Sequence, residues 1–246
     1  MAKVLTNAIA NLALEQKIEQ HNEFLALTIH DIRNPLGSMM LFAKMLKKQV
    51  YGELNEKQHN YVHRIIDVGQ YLLQLINNLL DLSKANSSQI TLNLETITPE
   101  KLGAQIVDLF AEQARDRGLQ LHFLSDPHCP CFQGDATHIK QILINLLANA
   151  IKFTVQGSVT LRLYTQSPWI YFAIEDTGIG IKPEDQQKLF HPFTQIQHDL
   201  DNIPKGTGLG LAVSLSLAKL HGGNITVRSQ AGQGSTFILS LPKNTP

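Results

Sequence analysis

The chain has 246 residues, 43% of them apolar and 17% charged, the balance of a globular protein with room for one large domain or two small ones. Its 21 basic and 21 acidic side chains cancel, which argues against a polyanion-binding surface over the whole chain, so no nucleic-acid partner is expected. No run of about 18 apolar residues is present to span a bilayer, and "MAKVLTNAIANLALEQ" at the start lacks the pattern of a signal peptide. Cys129 and Cys131 are too close for an unstrained disulfide and too few for a metal site, so they read as reduced thiols of a cytoplasmic protein.

The first segment carries a heptad seam: Ile18, Leu25, Ile32, Met39 and Leu46 recur every seven residues. Ile29, Leu36, Ala43 and Val50 form a second row offset by four. "YGELNEKQ" breaks the pattern, and a second helix follows with Tyr61, Ile65, Val68, Leu72, Leu75, Leu79 and Leu82 spaced alternately by four and three. Two such helices joined by a short turn make an antiparallel hairpin, whose thin core predicts that two copies pair as a dimeric four-helix bundle.

After the polar "SKANSSQ" the period changes. "ITLNLETI" alternates as a strand, Pro99 opens a helix to about Arg117, and "LQLHFL" alternates again. A helix from about Thr137 to Phe153 precedes two strands, "GSVTLRLYT" and "WIYFAIED". Residues 181–207 show no sustained period, the mark of a lid or binding loop. A helix from about Leu209 to Leu220 and the hairpin "GNITVRS"/"GSTFILSL" close the chain. The fold class is therefore α+β: a helical dimerisation domain over residues 1–86, then an α/β sandwich over residues 90–246, with hairpins implying antiparallel pairing.

The glycines of "DTGIGI", directly after a strand, and of "GTGLGLAVS", opening a helix, suit close backbone approach to a ligand and phosphate at a helix N-terminus. Neither matches the dinucleotide fingerprint, and no GxxxxGK[ST] loop is present. The bland reading, two tight turns, leaves unexplained the lid-length loop between them and the acid Asp176 at the end of a strand. In "QILINLLANAIKFT", Asn145 and Asn149 lie four apart on one helical face with Lys152 three residues on, a set suited to a cation and phosphate oxygens. In "HDIRNPL", Pro35 removes a backbone donor inside a helix and frees the carbonyl of Asp31. The apolar stripe runs on through Ile29, Ile32 and Leu36, so the helix persists. His30 falls one step outside the seam, Asp31 is beside it, and Asn34, four residues on, shares its face.

Taken in order, "HDIRNPL", "NLLANAIKFT", "DTGIGI", "LFHPF" and "GTGLGLAVS" resemble the five boxes of a two-component sensor histidine kinase, over residues 20–241. The resemblance implies an ATP-binding fold shared with gyrase and the Hsp90 chaperones. Asp176 is then expected to accept a hydrogen bond from the adenine amino group, which favours ATP over GTP because a carboxylate cannot donate to a carbonyl. Gly178 and Gly180 let the backbone approach the base. Asn149 is expected to hold Mg²⁺ with Asn145 assisting, and Lys152 to lie near the phosphates. Gly206, Gly208 and Gly210, with Thr207 and Leu209 between them, bring the end of the lid and the helix N-terminus to the phosphates. Phe190 and Phe193 resemble the phenylalanine box that packs the lid and docks it on the helices. Gln195 stands where many relatives place a basic residue; Lys205 is a possible substitute.

His30 is then the expected nucleophile, with Asp31 bonded to its other ring nitrogen, and Asn34 orients water for dephosphorylating a partner's aspartate. Relatives that hydrolyse ATP carry a glutamate where this chain has Asn145, so transfer is favoured over hydrolysis. The expected activity is autophosphorylation of His30 in a homodimer, then transfer to an aspartate of a response regulator, with residues 83–98 as the hinge. A phosphatase-dominant relative and a nucleotide-binding scaffold without chemistry are the rival readings. Only some 20 residues precede the helix stripe, so the sensor input is expected to be missing from this portion or borrowed from another protein.

Overall fold

The computed structural model describes residues 29, 31–50, 52–86, 91–127, 129–196 and 207–243. The chain divides into two compact units, Met1–Ile90 and Thr91–Pro246. Among the described residues no helix is long and apolar enough to cross a membrane.

In the first unit, helix α1 covers residues 31–47, and α2 covers Glu56–Asn86. Pro35 does not interrupt α1. The turn between the helices is closed at α2 by a reciprocal pair: the N–H of Gln58 donates to the Asn55 side chain and that of Asn55 to Gln58 Oε1, a capping box that satisfies two orphan donors of the first turn. The helices pack through two apolar clusters. One joins Ile29, Leu36 and Ile76; the other joins Met40, Ala43, Val62 and Ile66. Gly69 presses against the Met40 thioether, so the absence of a side chain there lets the two helices come close.

The sequence periodicity singled out a different set on α2. Tyr61, Ile65, Val68 and Leu72 are exposed, as are Ile32, Met39 and Leu46 on α1. Each helix has two apolar stripes. Ile29, Leu36 and Ala43 close the hairpin, whereas the row containing Ile32 and Met39 remains uncovered in a single chain, Met39 at 56% exposure and Val68 at 58%.

The second unit runs β1 (Glu95–Ile97), α3 (Pro99–Asp116), β2 (Gln120–Ser125), β3 (Phe132–Gly134), α4 (Ala136–Phe153), β4 (Ser158–Gln166), β5 (Trp169–Asp176), α5 (Pro183–Gln186), α6 (Gly210–Leu220), β6 (Asn224–Gln230) and β7 (Gly234–Pro242). Five strands form one sheet in the order β2-β4-β5-β7-β6, and β1 pairs with β3 in a separate ribbon. All pairings are antiparallel except β2 with β4. The expectation of hairpins thus holds for four strands. β2 instead reaches β4 through β3 and α4, a crossover long enough to permit parallel pairing. Among the described residues of "ITLNLETI", the last three alone form a strand.

Helix α4 fills the space over the sheet. Its face of Ile139, Ile142, Leu143, Leu146, Leu147 and Ile151 is fully buried, worth roughly 1.5–3 kcal/mol for each such side chain. Its start is fixed by Asp135, whose Oδ1 accepts from the N–H groups of Thr137 (3.0 Å) and His138 (3.2 Å) and whose Oδ2 accepts from Asn93 (3.0 Å). Buried His221 accepts the Asp135 N–H at Nε2 (3.1 Å) and donates from Nδ1 to the Leu217 carbonyl (2.8 Å), which ties the end of α6 to the start of α4.

Leu146→Ala should destabilise this unit by about 2–5 kcal/mol, the cost of a cavity in a well-packed core. Urea unfolding followed by Trp169 fluorescence measures it, because this lone tryptophan lies in β5 and reports on the second unit.

Candidate functional site

The end of β5 is the anchor. Asp176 Oδ1 accepts the N–H of Gly178 (2.8 Å) and that of Ser235 (3.2 Å), so a single carboxylate oxygen binds its own turn to the start of β7. Oδ2 has no hydrogen-bond partner among the described residues. Burial raises the carboxyl above its ordinary value, and the two backbone donors only partly offset that. Asp176 is thus a largely desolvated acceptor with one oxygen in reserve.

The turn after Asp176 is shaped by contact. A side chain at Gly178 would overlap the Phe153 carbonyl oxygen, and one at Gly180, whose φ is +66°, would overlap that of Gln230. The same Phe153 carbonyl accepts the N–H of Ile179 (3.3 Å). Thr177 accepts the N–H of Ser158 at its hydroxyl (3.0 Å), and Ile181 donates to Ser229 Oγ (2.8 Å). The glycine turn is therefore wedged between the C-terminus of α4 and the β6–β7 turn.

Helix α4 brings Asn145, Asn149 and Lys152 onto the stripe opposite its buried face, all three half-buried. Asn149 has no hydrogen-bond partner among the described residues, whereas Asn145 donates from Nδ2 to Ser214 Oγ on α6 (2.9 Å). Lys152 places its ammonium 5.1 Å from the centre of the Phe153 ring. Burial depresses its pKa, and Arg117, which donates to the Ile151 carbonyl (3.1 Å), adds like-charge repulsion.

Beyond the loop, Thr207 Oγ1 accepts the N–H of Leu209 (3.2 Å), Leu209 is fully buried and Gly210 opens α6. Gly208, with φ +71°, lies directly against the backbone of Phe193, itself in the left-handed region at φ +61°. Phe190 is half-buried; Phe193 is 63% exposed, so within its own unit it is held by its backbone and not by its ring. Lys205 and Gly206 lie outside the described residues, as does His30. Asp31 and Asn34 are exposed on α1. Arg33, between them, donates to the Asn77 side chain and so bridges α1 and α2.

The sequence reading missed Ser214, Ser235, Phe153 and Arg117. Ser235 and Phe153 act through backbone groups, which carry no residue-type signal. Ser214 is one of two serines, with Ser216, in a largely apolar helix, visible only as a polar residue on a face that should be core.

The chain is matched by known families. Residues 134–245 match the "Histidine kinase-, DNA gyrase B-, and HSP90-like ATPase" model, and residues 20–88 match the "His Kinase A (phospho-acceptor) domain". The chain belongs to the two-component sensor histidine kinases. It is similar to the circadian input-output histidine kinase CikA of Synechococcus elongatus, 38% identical over 91% of this chain and 30% of that protein. It is also similar to the histidine protein kinase DivJ of Caulobacter vibrioides, 30% identical over 98% of this chain and 44% of that one. Among solved structures, full-length ShkA in complex with AMPPNP superposes with a TM-score of 0.78 at 30% identity, over 91% of this chain and 46% of that one. ThkA in complex with the response regulator protein TrrA gives 0.63 at 26% identity, over 90% and 61%. The chain thus spans less than half the length of these curated relatives.

The raised Asp176 pKa has a consequence for stability. A carboxyl whose folded value exceeds the ordinary 3.8 costs the fold nothing below that value. The cost grows as pH rises through the folded value and is complete above it. Without nucleotide, Asp176→Asn should therefore unfold at higher urea than the parent near pH 7, with the difference fading towards about pH 4. Equal midpoints at both pH values would contradict the assignment of Asp176 as a desolvated charge.

Proposed function

We propose that this chain is the kinase core of a sensor: an ATP-dependent protein-histidine kinase that phosphorylates its own His30 and passes the phosphoryl group to an aspartate of a response regulator. The observation that carries the reading is Asp176, a partly desolvated carboxylate held by two backbone N–H groups beside the glycine turn that follows it. A carboxylate so placed accepts from the adenine amino group and offers nothing to guanine's carbonyl. The complexes of ShkA with AMPPNP and of ThkA with a response regulator support the donor and the recipient of the reaction.

Mg²⁺ fits the donor set. No cluster of three or more His, Cys, Asp or Glu residues stands ready for a metal among the described residues. Mg²⁺ is typically held by one or two protein oxygens together with substrate phosphates, and the Asn149 amide, without a partner among the described residues, offers one such oxygen. The bound ion would neutralise charge on the transferring phosphate. Lys152, kept from its full charge-solvating water by burial, faces the same anion, and the turn from Thr207 to Gly210 supplies backbone donors.

At the acceptor, a neutral ring nitrogen of His30 attacks the γ-phosphorus, the bond to the β–γ bridging oxygen breaks, and ADP leaves. Asp31 fixes the ring tautomer and supports the positive charge that develops, an effect typically worth roughly 10²–10⁴ in rate. Asn34, exposed one turn on, orients water for the reverse task on a phosphorylated regulator. The uncovered stripes of Ile32, Met39, Leu46, Tyr61, Ile65, Val68 and Leu72 support a homodimer closed as a four-helix bundle. The cytoplasm is the proposed compartment, and a sensor input domain is expected to act on this core from outside the sequence described.

His30→Gln should abolish labelling from γ-labelled ATP and leave nucleotide binding intact; label that survives the change removes His30 from the reaction. Replacing Ile65 and Val68 together by aspartate should halve the mass seen by light scattering. An unchanged mass would contradict a dimer closed through these stripes.

A further inference from the structure

We infer that Asn145 is a positioning residue that clasps α4 to α6, and not a ligand of the metal ion; the inference rests on the nucleotide site proposed above. Three observations meet here. Asn145 Nδ2 donates to Ser214 Oγ at 2.9 Å. Ser214 is 2% exposed, a buried hydroxyl in an otherwise apolar face between Val213 and Leu217. A side chain at Gly210 would overlap Asn145 Oδ1, so the carbonyl end of the same amide is pressed against the first residue of α6.

The amide is thus engaged at both ends by one turn of α6. Asn149, one turn further along α4, has no such partner among the described residues, and the two asparagines that look alike in sequence do different work. The clasp fixes the separation between the helix carrying Asn149 and Lys152 and the helix entered through Thr207–Gly210. A phosphate chain bound between them senses that separation; the adenine end, set by Asp176, does not. Gly210 accordingly owes its identity to the approach of the Asn145 amide as much as to any ligand. Removing the Ser214 hydroxyl leaves a half-buried amide N–H unsatisfied, a loss corresponding to roughly tenfold in an equilibrium constant.

The test uses the full chain and three binding measurements: ADP with Mg²⁺, ADP in excess EDTA, and adenosine. Ser214→Ala and Asn145→Ala should each weaken ADP about tenfold, to the same degree with and without Mg²⁺, while adenosine changes less than twofold. The double variant should be no weaker than the weaker single one, because both act through one contact. Asn149→Ala is the reference and should remove the Mg²⁺-dependent part of ADP binding alone. If Asn145→Ala behaves like Asn149→Ala and Ser214→Ala binds ADP like the parent, the clasp is overturned. Adenosine weakened in parallel with ADP would also overturn it, as general loosening of the fold. If Asn149→Ala leaves the Mg²⁺ dependence untouched, the metal assignment fails and not the clasp.

Discussion

One helix in this protein has to be core and site at once. α4 buries a complete apolar face against the sheet and neighbouring helices, and that burial leaves it no freedom to rotate. Its opposite stripe of Asn145, Asn149 and Lys152 is therefore presented at a fixed angle to the cleft. Both ends are pinned: Asp135 and His221 hold the start, and the Phe153 carbonyl at the other end seats the glycine turn. The polar stripe is preorganised by the hydrophobic effect acting on the other side of the same helix.

The hairpin of the first unit solves a different problem with the same device. Each of its helices carries two apolar rows, and a single chain satisfies one. The row through Leu36 and Ala43 is buried with Val62 and Ile66, while the row through Met39 and Val68 is left in water. The exposed row is too long and too continuous to be incidental surface. Asp31 and Asn34 lie on this helix, with Arg33 between them reaching across to Asn77, so the packing that settles the hairpin also settles these residues.

Much of this was legible in the sequence because its signal is periodic or lies in a compact motif. The change from a 3.6-residue to a 2-residue period located the elements, and Asp176, Gly178 and Asn149 stand out as candidates through their residue types in compact motifs. What escaped was information held by the backbone or by distant pairing. The periodicity of α2 could not say which of two apolar rows faces α1, because both rows have helical spacing. β3 is three residues long, too short to show alternation, and its pairing with β1 is fixed only by the fold. Ser235 reaches Asp176 across 59 positions through a main-chain N–H, which any residue but proline supplies. Asn145 and Asn149 have the same residue type on the same face, and only the packing of α6 distinguishes them.

The central claim is that Asp176 reads the base as a pure acceptor. Equilibrium binding of ATP and GTP to the same chain, both with Mg²⁺, tests it most directly. The account predicts that ATP binds at least about tenfold more tightly, the penalty for leaving a half-buried carboxylate facing a carbonyl. Equal affinities for the two nucleotides would contradict it.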